Sequence, residues 1–418
     1  MRIESTLSAS TQLLQRFNDV RRRSVALAQP LSEEDSCAQS MPDASPVKWH
    51  LAHTSWFFET FILERFEPNF HPYHQAYRVL FNSYYNGVGQ RYPRAQRGLL
   101  TRPSTGEVIS YRHNVDMRMH GLLMRALTDD AISEQGFELT SLTELGIQHE
   151  QQHQELILTD IKHLLSINPL LPAYKSKAEQ ATARVSEDNR KLTWVAFDAG
   201  VVEIGHDADG FCFDNEMPRH RQFIEAFSMM SRLVTNTEYA AFIDDDGYIN
   251  PDHWLAEGWD WVCSQGLRQP LYWHRLGDAG WHEFTLHGME KMDPCAAVLH
   301  LSYFEADAYA RWAKARLPTE FEWELAATSA MADGSSVKLE QLFDTAWQWT
   351  SSSYGPYPGF VVSEGAVGEY NGKFMVNQYV LRGSSCATPK RHSRTTYRNF
   401  FPVGARWQFT GIRLAKSA

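Results

Sequence analysis

His149 and His153 stand four residues apart in the run His149-Glu150-Gln151-Gln152-His153-Gln154-Glu155-Leu156-Ile157-Leu158, whose polar and apolar residues keep a helical period. On a helix this spacing sets two imidazoles on one face, one turn apart, where both can reach a single metal ion. A metal that keeps a position open for chemistry needs at least three protein ligands. The local sequence offers no third. Thr159 occupies the place six residues on where a metzincin has its last histidine, and His163 falls about a quarter turn off the face at ~100° per residue. The missing ligand must come from another helix, so this part of the chain is expected to fold as a bundle with the metal between facing helices.

The best donor segment is Trp49-His50-Leu51-Ala52-His53-Thr54. His53 shares a stripe with Trp49, Trp56, Phe57 and Thr60, and His50, three residues earlier, is the alternative. Three neutral imidazoles suit zinc, iron, copper or nickel. With zinc, His149, Glu150 and His153 would read as the H-E-x-x-H motif of a hydrolase, Glu150 serving as base for a metal-bound water.

Residues 1–167 read as helices. An apolar stripe begins at Leu7, Leu13, Leu14 and Phe17. Ser45-Pro46 looks like a helix start. A third helix is expected at Val115–Leu127 and a fourth at Ser141–Leu165, with Ser141 and Glu144 as a capping box. Asn168-Pro169-Leu170-Leu171-Pro172 breaks the pattern, and residues 174–191 are polar enough to be a linker between a bundle (1–173) and a second domain (192–418). In that second domain short strand-like runs (Trp194–Phe197, Val201–Ile204, Gln222–Phe227) alternate with Gly-, Asp- and Trp-rich loops and two helices, Asn236–Ile243 and Tyr303–Lys314, which reads as α+β.

The net charge of -10 gives no electrostatic reason to expect nucleic acid or an acidic membrane surface. No apolar run is long enough to span a bilayer, and Met1-Arg2-Ile3-Glu4-Ser5 does not open a secretory signal. The 5 scattered cysteines suit a reducing cytoplasm.

These residues resemble a known family. Lys48–Thr54 and His149–Glu155 look like the DinB-like half of the ergothioneine-biosynthesis sulfoxide synthases (the EgtB family). Gly210–Glu216, Arg316–Glu324, Trp347–Thr350, Tyr397–Phe401 and Arg406–Leu414 look like the formylglycine-generating-enzyme, or C-type-lectin-like, domain that completes them. The resemblance covers nearly the whole chain. It implies a non-haem Fe(II) enzyme that uses O2 to join a cysteine thiol to C2 of the imidazole of hercynine (Nα-trimethylhistidine) as a sulfoxide, at a site between the two domains. It implies His53, rather than His50, as the partner of His149 and His153 on iron. Gln152 and Asn399, with Phe400, correspond to residues that hold hercynine. Arg94 and Arg97, near Arg91, correspond to residues that grip the carboxylate of the thiol substrate, a task suited to the guanidinium fork.

C–S coupling with sulfoxidation needs a proton or hydrogen donor beside the reacting oxygen, or the thiol is merely dioxygenated. Tyr84 and Tyr85 are the candidates, as in one branch of the family, with Tyr357 as fallback. Members that take γ-glutamylcysteine carry an acid two residues after the asparagine. Phe401 stands there in this chain, which favours free cysteine. The competing readings are a 5-histidylcysteine sulfoxide synthase, the zinc hydrolase, a formylglycine-generating enzyme and a lectin-like binding module. The formylglycine reaction needs a close cysteine pair, but only Cys386 lies in the C-terminal core.

Overall fold

A computed structural model describes residues 9–128, 134–176, 192–207, 210–362, 368 and 371–418; Met1–Ser5 and most of the expected linker, 177–191, lie outside them. The chain divides into two compact units, Met1–Tyr174 and Lys175–Ala418. Tyr174 is buried in the first, its hydroxyl donating to the Leu27 carbonyl at 2.6 Å. Lys175 belongs to the second, where its N–H reaches Leu286 O at 3.1 Å.

The N-terminal unit comprises α1 (Ala9–Ala28), α2 (Glu33–Cys37), α3 (Val47–Phe58), α4 (Glu64–Phe66), α5 (Tyr77–Leu80), α6 (Thr105–Thr128) and α7 (Glu134–Ser166). The long helices form the expected bundle, with α1 and α3 each packed on α6 and α7. Every residue of α3 is buried, its polar Lys48, His50, His53, Thr54 and Ser55 included. Beyond Phe58 the expected helix widens into a π turn, Glu59–Leu63. Glu59 is buried there and accepts from Tyr111 Oη at 2.6 Å and Tyr73 N at 2.8 Å.

Three helix starts differ from the sequence reading. The third helix begins at Thr105 because Ser104 and Glu107 cap each other reciprocally, with Ser104 N donating to Glu107 Oε2 at 2.7 Å and Glu107 N to Ser104 Oγ at 3.2 Å. Ser141 is no cap. It lies inside α7 and donates back to Phe137 O at 2.9 Å. Ser45 does not cap α3 either: Pro46 stands at the N-cap position, and the Ser45 hydroxyl accepts from Arg97 Nη1 at 2.8 Å.

The C-terminal unit mixes strands and helices: β1 (Trp194–Phe197), β2 (Gly200–Ile204), β3 (His220–Ile224), β4 (Phe227–Met230), α8 (Asn236–Asp244), α9 (Ala256–Gln265), β5 (Trp273–Arg275), β6 (Trp281–Thr285), β7 (Gly288–Lys291), α10 (Tyr303–Trp312), α11 (Glu320–Met331), β8 (Ala346–Ser353), β9 (Gln378–Ser384), β10 (Asn399–Pro402), β11 (Thr410–Gly411) and β12 (Ala415–Ser417). The sheets run β10-β9-β8-β11, β1-β4-β12, β5-β6-β7 and β2-β3. The single strand expected at Gln222–Phe227 is two, β3 and β4, pairing with different neighbours. α10 stops short of Lys314, which takes a left-handed φ of 52°.

The segment Arg316–Glu324 frames this unit. Thr319 caps α11, Glu320 takes Arg398 Nε at 2.7 Å and Nη2 at 3.0 Å, and Glu324 takes Gly205 N at 2.7 Å and the Arg382 guanidinium. Trp323 sits at 0 % exposure among Ile224, Phe227, Met229 and Leu342 and donates to Gln348 Oε1 at 2.7 Å. Gly383 lies against this cluster at φ 94°, where a Cβ would come within 2.4 Å of Leu342 O, so only glycine fits.

Candidate metal site

His53 of α3 and His149 and His153 of α7 come together with ligand atoms all within 4.8 Å of one another. His53 and His149 are 0 % and 2 % exposed, and His153 is half-buried. Nε2 of His153 and Nε2 of His149 are 3.1 Å apart, close to the spacing of two neighbouring ligands that each stand ~2.1 Å from one ion. His53 is sandwiched along its own helix by Trp49, stacked at 4.5 Å, and Trp56, stacked at 5.4 Å, the i−4 and i+3 neighbours of one helix face. Its Nδ1–H donates to Phe81 O at 2.6 Å, which leaves Nε2 as the lone-pair nitrogen. That buried atom has no hydrogen-bond partner, an arrangement that is costly unless something binds there.

Burial lowers the pKa of all three imidazoles. His149 falls to about 3, and His53 and His153 lie well below the usual range, each lowered further by its histidine neighbours. They are therefore neutral at neutral pH, the state a metal requires. An orphaned nitrogen and three neutral imidazoles on two helices fit a divalent first-row metal.

His50, the alternative on α3, sits one layer further out. Its Nδ1 is 2.8 Å from His153 Nδ1 and its Nε2 is 3.1 Å from Asp160 Oδ2. Asp160 also accepts from Ser45 N at 2.8 Å. Asp160 escaped the sequence reading, although it lies seven residues after His153, two turns along the same face.

Glu150 points away from the triad. It is fully buried and accepts from Arg21 Nη1 at 2.9 Å, Ser24 Oγ at 2.5 Å and the Arg112 guanidinium. Although burial raises its pKa, the two cations and their hydrogen bonds outweigh that and bring it down to about 2. A carboxylate so held cannot take a proton from a metal-bound water, which removes the base that the zinc-hydrolase reading needs.

Tyr85 is fully buried, stacked on half-buried Tyr84 at 4.7 Å and packed on Trp56 at 5.6 Å and Phe61 at 5.0 Å. Trp56 stacks in turn on His53, so one aromatic ring separates Tyr85 from that histidine. Tyr357, the fallback donor, is buried in the C-terminal unit. Burial, then Glu320, pushes its phenol far up, and its hydroxyl donates to Glu320 at 3.2 Å. Arg91 and Arg94 are exposed, bonded to the carbonyls of Ser83 and Asp43. Arg97 is buried, its guanidinium carbon 3.3 Å from the centre of the Trp49 ring. Among the described residues no carboxylate hydrogen-bonds to it; burial, then Arg94, disfavours its charge, and Asp160 opposes them in part. Gln152 is half-buried on α7. In the C-terminal unit, Asn399 opens β10 with its Oδ1 on Phe400 N at 2.9 Å. Phe400 stacks on Tyr354 at 4.1 Å, and Phe401 packs edge-on against Trp407 at 5.8 Å.

Residues 16–157 match the DinB superfamily, and residues 179–343 match the sulfatase-modifying factor enzyme 1-like domain. The hercynine oxygenase of Mycobacterium tuberculosis is 30% identical across 98% of this chain and 99% of its own. The chain belongs to the hercynine oxygenase family. The member from Mycolicibacterium thermoresistibile is 29% identical across 97% of this chain and 94% of its own. Ergothioneine biosynthesis protein 1 of Schizosaccharomyces pombe is 27% identical across 50% of this chain and 28% of its own. The hercynine oxygenase alignments run through both units, as the resemblance in the sequence implied. None of the five cysteines forms a disulfide and Cys386 is exposed; no second cysteine follows Cys386 in the sequence to make the close pair of a formylglycine-generating enzyme. Among the described residues no helix is long and apolar enough to cross a membrane.

Proposed function

We propose that this chain is a cytoplasmic, non-haem iron hercynine oxygenase that makes a sulfoxide on the path to ergothioneine. The reaction joins the sulfur of a thiol, R–SH, to C2 of the hercynine imidazole. Sulfur loses S–H and carbon loses C2–H; one atom of O2 becomes the sulfoxide oxygen and the other leaves as water with both hydrogens. The four electrons removed from the two substrates are the four that O2 takes up. The observation that carries this reading is the neutral triad of His53, His149 and His153 with the unpartnered Nε2 of His53, in a chain of this family.

Bound Fe(II) would supply the O2 chemistry and the positions at which thiolate and imidazole meet. The protein does the rest. Its three neutral imidazoles add no charge, so the site can take a thiolate without accumulating anions. The aromatic layer of Trp49, Trp56 and Phe57 keeps water from the reacting atoms. Arg97, desolvated and held over the Trp49 ring, grips the substrate's carboxylate, while exposed Arg94 and Arg91 steer it inward. Tyr84 or Tyr85 gives the proton or hydrogen atom that commits the reaction to C–S coupling. Gln152 and, from the C-terminal unit, Asn399 and Phe400 hold hercynine. Phe401 carries no charge where an acid would greet a γ-glutamyl ammonium, so free cysteine is the thiol.

The test is anaerobic loading with Fe(II), then hercynine, cysteine and air, with products weighed by mass spectrometry beside a γ-glutamylcysteine reaction. The mass of hercynylcysteine sulfoxide from cysteine is the expected result. Product from γ-glutamylcysteine alone overturns the choice of thiol. Product with histidine in place of hercynine, and not with hercynine, would mean the 5-histidylcysteine sulfoxide synthase. Bound iron without coupled product or O2 uptake overturns the function.

A further inference from the structure

We infer that His50 and Asp160 are positioning residues that fix the tautomer of His153 so that its Nε2 faces the metal. This rests on the reading of His53, His149 and His153 as the iron site. A carboxylate only accepts hydrogen bonds, so Asp160 Oδ2, 3.1 Å away, holds the proton of His50 on Nε2. The neutral ring then presents a lone pair at Nδ1. That lone pair lies 2.8 Å from His153 Nδ1, which must therefore carry its ring's proton and donate. Nε2 of His153 is left bare on the side of His149 Nε2, 3.1 Å away. The opposite tautomer would set two lone pairs against each other at Nδ1 and put a proton where the ion belongs.

Asp160 is itself fixed by the Ser45 N–H at 2.8 Å and is 5 % exposed, while His50 is 2 % exposed. The two outer members of the relay are thus shielded from solvent. Two of the three histidines are oriented by different means: His53 by the carbonyl of Phe81, and His153 by a carboxylate acting through a second imidazole. Loss of such outer partners typically weakens metal binding about 10–100-fold.

The experiment measures Fe(II) affinity of the full chain by anaerobic competition with a chromophoric chelator, with circular dichroism melts to certify folding. His50→Leu removes the acceptor and is expected to weaken binding about tenfold or more. His50→Gln keeps a side-chain oxygen for His153 Nδ1–H and is expected to stay within about threefold of the parent. A purely space-filling role for His50 would not be rescued by glutamine. Parental affinity in His50→Leu, or equal losses in both variants, overturns the inference and leaves the iron site standing. A parent chain that binds no iron overturns both. Should His50→Leu not fold, Asp160→Ala takes its place, with at least a fivefold loss expected and an unchanged affinity decisive against the relay.

Discussion

The guanidinium of Arg97 lies 3.3 Å over the ring of Trp49, and that indole stacks on His53 at 4.5 Å. A guanidinium is thereby placed one aromatic ring from His53 of the candidate metal site. The stack also accounts for how a buried arginine is tolerated without a carboxylate: the indole face and the Ser45 hydroxyl compensate part of the charge. Arg97→Lys keeps the charge and loses the plane. It should raise KM for the thiol about tenfold, close to the ~1–2 kcal/mol of a buried cation–π and bidentate contact, with iron content unchanged. Steady-state kinetics with varied thiol check this; an unaltered KM removes Arg97 from the substrate.

Glu150 bridges Arg21 and Arg112 in the centre of the bundle. Removing one partner of a buried ion pair costs about 3–5 kcal/mol, so Glu150→Gln should lower the free energy of unfolding by that order in urea titrations. A general base would behave otherwise, abolishing turnover while leaving the urea midpoint in place.

Tyr84→Phe and Tyr85→Phe separate the two phenols. The variant that lacks the donor should still consume O2 but release cysteine sulfinate in place of the coupled sulfoxide. Mass spectrometry of the two products reads the partition. If both variants keep the parental ratio, neither tyrosine is the donor.

His392 supplies a pH signature in the C-terminal unit. Burial, then Arg394, brings its imidazole down to about 3, whereas an unfolded histidine titrates near ~6.5. Between those values the unfolded chain holds a proton that the folded chain excludes, so stability rises with pH across the window. The contribution is complete above ~6.5 and is lost as pH falls toward 3. In His392→Asn the unfolding free energy between about pH 4 and 6 should climb less steeply, by up to ~1.4 kcal/mol per pH unit. Parallel curves for variant and parent would show that His392 does not titrate on unfolding.

What could be read from the sequence was what obeys short periods. The spacing of His149 and His153 and the stripe shared by Trp49, His53 and Trp56 follow helical geometry, which left His50 open beside His53; the family resemblance pointed to His53, and the structure brings His53, His149 and His153 together. Other features depend on which helices meet. Ser45 resembled a cap until Arg97, 52 positions on, took its hydroxyl, and nothing near Asp160 indicates that His50 would reach it. Glu150 looked like half of a protease motif because the partners that disarm it, Arg21 and Arg112, lie on other helices. The starts of α6 and α7 differ for a nearer reason: Ser104 and Glu107 form a cap ahead of the apolar stripe, and Ser141 bonds backward instead of forward.

The acids of the Arg316–Glu324 run, prominent as a family signature, are spent on Arg316, Arg382, Arg398 and the backbone of Gly205. The most recognisable stretch of the C-terminal unit is therefore architecture. A chain that kept it and lost His53 would be expected to fold alike and perform some other chemistry. Kinship traced through that stretch sorts proteins by skeleton, and their reactions have to be sought in residues outside it, here His53, His149 and His153 first.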